Sequence, residues 1–149
     1  MGLFSRIAAL FRRAPGVPPT QQVDAAAERF VYVMIPEHIG PLARGEKYEE
    51  PIEAKLLKAG LGEVTGAGSA LGDERPDGTR AVEFCGIDVD VTELDPALAL
   101  LRELLPALGA PDGTELHYTR GGARLLDGLA GGRWAVRRHR EMVHPGFGF

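Results

Sequence analysis

Apolar and polar positions between Phe30 and Thr119 repeat in two similar halves. Residues 30–35 form an unbroken apolar run. Residues 48–59 are amphipathic, with Ile52, Leu56 and Ala59 on one helical face, Pro51 in the first turn and Gly60 at the end. Proline early and glycine late is the asymmetry of a helix start and a left-handed helix stop. Residues 63–71 and 81–91 are two further runs, separated by a turn around Pro76, Asp77 and Gly78. Residues 95–108 then give a second helical pattern: Asp95 as N-cap, Pro96 at the first helical position, and a stripe of Leu98, Leu101, Leu105 and Leu108. Pro106 in its last turn should kink it or end it early. A short run at 114–119 closes the pattern. The order is strand–helix–strand, strand–helix–strand. It predicts an α+β fold of the ferredoxin-like, split-βαβ kind, with a four-stranded antiparallel sheet and both helices on one face.

The first strand is apolar on both sides. Val31, Val33 and Ile35 point one way, and Phe30, Tyr32 and Met34 the other. Two-sided burial marks a central strand. If the helices take one face, something else must cover Tyr32 and Met34. The candidates are a second copy of the chain, the N-terminal segment or the C-terminal tail.

Charge sharpens that picture. The net charge of −4 divides unevenly along the 149 residues. Residues 1–13 carry three arginines and no acid. Residues 14–119 carry eight Lys/Arg against 19 Asp/Glu. Residues 120–149 carry six arginines against Asp127 and Glu141. The acidic body should repel nucleic acid, while the two basic ends either fold onto that body or reach for another acidic partner. The expected organisation is an amphipathic helix and Pro-rich linker over 1–28, the α+β domain over 29–119, and a basic Gly/Arg-rich extension over 120–149. In residues 2–13, Leu3, Phe4, Ile7, Leu10 and Phe11 recur at helical spacing beside Arg6, Arg12 and Arg13. Such a helix would dock on an apolar surface or lie weakly on a membrane surface. In the tail, Trp134 among Arg133, Arg137, Arg138 and Arg140 suits single-stranded nucleic acid, and a helix over residues 133–143 packed by Trp134, Val136 and Met142 is an equal reading. Phe147 and Phe149 would leave the end mobile unless they dock.

Candidate chemistry is sparse. Parity on the third strand puts Cys85, Ile87, Val89 and Val91 toward the helices and Asp88 and Asp90 on the open face. Two carboxylates roughly 7 Å apart could hold a divalent ion. Glu115 and His117 should project from the same face, making His117 a weaker catalytic or metal candidate. The glycines at 66, 68 and 72 do not form a nucleotide-binding loop, because a turn and a strand follow them rather than a helix. They suit a bulged edge strand. Cys85 reads as a small core residue, and as the single cysteine it can form no intramolecular disulfide. No run reaches the roughly 18 apolar residues of a membrane span. No cofactor is expected, and the expected location is cytoplasmic.

The segments 60–68 (GLGEVTGAG), 82–90 (VEFCGIDVD) and 109–114 (GAPDGT) resemble a group of small bacterial proteins without a named activity. The resemblance spans roughly residues 30–118 and implies the fold and a bacterial cytoplasmic setting, but no site. The function expected is a non-enzymatic interaction or regulatory role: dimerising, binding a protein partner or a small molecule, or blocking a partner as immunity proteins do. Its surface would include Tyr32, Met34, Asp88, Asp90, Glu115, Arg133 and Trp134. The alternative is a metal-assisted enzyme using Asp88 and Asp90.

Overall fold

Six β-strands form one antiparallel sheet in the computed structural model, which describes residues 25–144, 146, 147 and 149. In chain order the elements are β1 (Phe30–Ile35), α1 (Pro41–Arg44), a π-helical turn (Gly45–Glu49), α2 (Glu50–Ala59), β2 (Gly62–Glu74), β3 (Arg80–Val91), α3 (Leu94–Ala107), β4 (Glu115–Arg120), β5 (Ala123–Ala130) and β6 (Arg133–His139). The spatial order is β2-β3-β1-β4-β5-β6. This corrects the four-stranded ferredoxin-like sandwich. The sheet is half as wide again, because residues 123–139 extend it by a hairpin. Of the segment read as a helix over 133–143, residues 133–139 form a strand instead.

Two glycine pairs produce that hairpin. Gly121 and Gly122 join β4 to β5 with φ of 56° and 77°, and Gly131 and Gly132 join β5 to β6 with φ of 59° and 72°. Two-residue turns with both residues at positive φ match the twist of antiparallel strands, and glycine reaches that region without a steric penalty. Inside the hairpin, Leu125, Asp127 and Leu129 alternate inward and are buried.

One core lies between the sheet and the helices. Val31, Val33 and Ile35 of β1 and Cys85, Ile87 and Val89 of β3 meet Ile52 and Leu56 of α2 and Leu98, Leu101 and Leu105 of α3. All are fully buried. Each large side chain contributes about 1.5–3 kcal/mol through apolar area removed from water. The helix ends differ in detail from the sequence pattern. Gly60 caps α2 in the left-handed conformation at φ 66°. The N-cap of α3 is Glu93 in extended conformation, so Asp95 falls in the first turn. Pro106 stays inside α3, one residue before its end. The helical segment before β2 starts earlier than the pattern suggested, at Pro41. Its π turn buries Tyr48, whose hydroxyl donates to Glu37 Oε2 at 2.5 Å while Lys47 Nζ lies 2.6 Å from Glu37 Oε1. Among the described residues, no helix is long and apolar enough to cross a membrane.

A buried carboxylate ties the added hairpin to the rest. Asp127 of β5 accepts hydrogen bonds from the Tyr118 hydroxyl at 2.6 Å, Arg102 Nε at 2.7 Å and the Arg137 amide at 2.9 Å. Those partners lie on β4, α3 and β6. Trp134 adds a bond from Nε1 to the Arg102 carbonyl at 2.8 Å. Arg137 takes a positive φ of 56°, beside the register shift where β5 and β6 bulge, and this turns its amide toward Asp127.

Candidate functional site

Strand register assembles the face opposite the helices. Side chains directly opposite one another on antiparallel strands share a face. Tyr32 stands opposite Asp88 on one side and His117 on the other. Phe30 stands opposite Asp90, and Met34 opposite Gly86 and Glu115. Further out, Glu63 of β2 pairs with Asp90, Leu126 of β5 with His117, and Arg138 of β6 with Leu126. The sequence-predicted residues Tyr32, Met34, Asp88, Asp90, Glu115 and His117 therefore do share one face. Arg133, opposite Ala130, lies exposed at its outer margin. Trp134 belongs to the other side, against the helix core.

The described residues of the C-terminal segment (140–144, 146, 147 and 149) cover the centre of this face. His144 Nε2 lies 2.8 Å from Asp88 Oδ1. The His144 ring meets Phe30 edge-on at 5.1 Å and Tyr32 at 4.8 Å between centroids. Phe147 and Phe149 also meet Phe30 edge-on, at 5.2 and 5.5 Å, and stack on each other. Edge-to-face pairs of this kind contribute about 0.5–1.5 kcal/mol each beyond area burial. Arg140 starts the crossing: its Nε donates to the Leu125 carbonyl at 3.0 Å and its Nη1 to the Met142 carbonyl at 2.6 Å. The N-terminal segment, the other intramolecular candidate for this cover, lies outside the described residues as far as residue 24.

Gly86 makes room beneath Tyr32. A Cβ at that position would overlap the Tyr32 hydroxyl and ring carbons. The phenol thus lies flat across β3, where burial first, and the Asp88 carboxylate second, raise its pKa.

The two aspartates occupy different environments. Asp88 is taken by His144. Asp90 is exposed, and its pKa is raised by partial desolvation, then by Glu63 and Asp88 nearby. Among the described residues, no group of three or more His, Cys, Asp or Glu is placed to hold a metal ion. His117 is buried, with Nε2 2.9 Å from Glu115 Oε1. Burial holds its pKa below the ordinary value, with Glu115 pulling the other way. Cys85 is buried on the helix side, and burial raises its pKa. A thiol so placed is a poor nucleophile. A broadly open depression of about 350 Å³ lies off to one side, lined by Leu57, Gly60, Glu63, Asp90 and Thr92 among others.

His144, Phe147 and Phe149 were missed as site residues by the sequence reading. The available signal was a histidine and two phenylalanines in a glycine-rich end of a chain that already needed a cover for β1.

No family model, no curated protein and no solved structure matches this chain.

Proposed function

We propose that this protein works by binding a protein partner at the open sheet face, and that residues 140–149 are the intramolecular occupant of that surface. One observation carries the reading: the polar and aromatic groups of the face are engaged with a peptide segment instead of converging on an open cleft. Beyond Arg140, whose amide donates to the Arg124 carbonyl, side chains hold the segment to the sheet. Binding groups of this type, aromatic rings around a histidine hydrogen-bonded to a carboxylate, suit a peptide that brings its own aromatic side chains.

Photo-crosslinking in the producing cell tests the proposal. A benzophenone side chain at Phe147 or Met34 should capture another polypeptide. The same group at Leu57, exposed on the helix side, should not. Equal capture from Leu57 would overturn the placement. The enzymatic alternative has its own signature: stabilisation by Mg²⁺, Mn²⁺ or Zn²⁺ that disappears in Asp88→Asn would replace binding with metal-assisted chemistry.

A further inference from the structure

The open face is electrically polarised across the strands. On the β2–β3 side it presents Glu63, Asp88 and Asp90; β2 contains no Lys or Arg, and the one cation of β3, Arg80, stands at the strand's far end beside Glu74. Glu63 and Asp90 are exposed, and the Asp90 carboxyl is raised first by partial desolvation and then by the neighbouring charges of Glu63 and Asp88. On the β5–β6 side it presents Arg124, Arg133 and Arg138, and β6 contains no acid. Arg133 and Arg138 are exposed. Between the two strips, the segment crossing the face turns apolar surface outward: Phe147 is 57% exposed, Met142 50% and Val143 38%. An apolar centre flanked by charge has the anatomy of an interface, with a hydrophobic core and a polar rim.

The arrangement is self-complementary. Consider two copies face to face about a two-fold axis lying along the strand direction. The rotation exchanges left and right, so the acidic strip of each copy lies over the basic strip of the other, and the two apolar centres meet. A two-fold contact needs this kind of self-matching patch. The whole chain carries only −4, and charges further apart than about 8 Å are screened at physiological salt. The local strips therefore decide the encounter. We infer that this face, with its crossing segment in place, docks on the same face of a second copy of this chain, acidic strip to basic strip. This names the partner for the docking surface proposed above and rests on that reading.

Sedimentation velocity on the full chain tests it with two charge-reversed variants, Glu63→Lys with Asp90→Lys and Arg133→Glu with Arg138→Glu. The wild type should sediment as a dimer of the 16.0 kDa chain and dissociate as salt is raised. Each variant alone should be monomeric, because like strips then face each other. An equimolar mixture should recover the dimer, since one partner is now basic on both sides and the other acidic on both. The wild-type salt dependence gives a readout that needs no variant. A wild type that stays monomeric overturns the inference, as does a dimer indifferent to both reversals. A monomer that still cross-links from Phe147 to a different polypeptide would overturn self-association alone and leave the docking face standing.

Discussion

Replacing Asp127 by alanine should be among the most damaging single changes in the β5–β6 hairpin. The carboxylate is fully buried and accepts from Tyr118, Arg102 and the Arg137 amide within 2.9 Å. Removing one member of a buried ion pair costs about 3–5 kcal/mol, because its partner is left uncompensated. Here the partner is not sealed in: the Arg102 side chain is 29% exposed and can turn toward water. That puts the ionic part at or below the low end of the range. The Tyr118 hydroxyl is buried and loses the one acceptor it has among the described residues, which adds about 1–3 kcal/mol for an unsatisfied group. The two losses overlap, so the expected total is about 3–4 kcal/mol, a large part of the roughly 5–15 kcal/mol available to a domain. Tyr118→Phe, which keeps the carboxylate and its other donors, should cost about 1–2 kcal/mol. Urea titration followed by far-ultraviolet circular dichroism measures both. Spectrophotometric titration adds a second readout. The Tyr118 phenol is pushed up to about 12, by burial first and Asp127 second, and should ionise at lower pH in Asp127→Asn. An Asp127→Ala loss below about 1 kcal/mol would refute the claim that this carboxylate anchors the hairpin to α3 and β4.

Other expectations follow from single contacts. Leu101→Ala, in the fully buried core, should cost about 2–5 kcal/mol in the same titration. Gly86→Ala should displace Tyr32 and loosen residues 140–149 as well as destabilise the chain, seen as faster amide exchange at His144 than in wild type. His117 has a folded-state pKa below its ordinary value of about 6.5, so the unfolded chain binds more protons just below that pH. Its contribution to stability is present above about pH 6.5 and is lost as the pH falls from there toward the depressed folded value; His117→Gln should flatten this part of the pH–stability curve. Asp90 has the opposite sign for its class, a raised carboxyl pKa, so ionising it disfavours the fold as pH rises from about 3.8. Asp90→Asn should therefore raise the melting temperature slightly at pH 7, and a drop would contradict the crowding argument.

The readable parts of the fold were those carried by local periodicity. Alternation on β3 assigned Cys85, Ile87 and Val89 to the helix side and Asp88 and Asp90 to the other, and the register agrees. The two-sided apolar character of β1 placed it inside the sheet, where it lies between β3 and β4. The missing third of the sheet was also written locally. Gly121-Gly122 and Gly131-Gly132 are hairpin turns ten residues apart, and Leu125, Asp127 and Leu129 alternate between them. Arginine content drew the reading toward an extension instead. Asp127 interrupts the apolar alternation, and nothing local says that a carboxylate will be buried. Its partners come from Arg102 and Tyr118, far enough away in sequence or on other elements that only the assembled sheet and helix reveal them. The same limit hid His144, whose partner Asp88 lies on β3. The need for a cover over Phe30 and Tyr32 was legible from β1 alone, but its supplier depended on long-range placement.

The central claim is that the described residues of the C-terminal segment, 140–144, 146, 147 and 149, lie across the sheet face opposite the helices and are held there through side chains. Nuclear Overhauser contacts between the aromatic rings test it most directly. The account expects cross-peaks from Phe30 to Phe147 and Phe149, and from Tyr32 to His144, at ring separations of 4.8 to 5.5 Å. It also expects ring-current displacement of the His144 protons, with both signals lost when Phe30 is replaced by alanine in a chain that stays folded. Random-coil shifts for residues 142–149, with no contact to Phe30 or Tyr32, would contradict it.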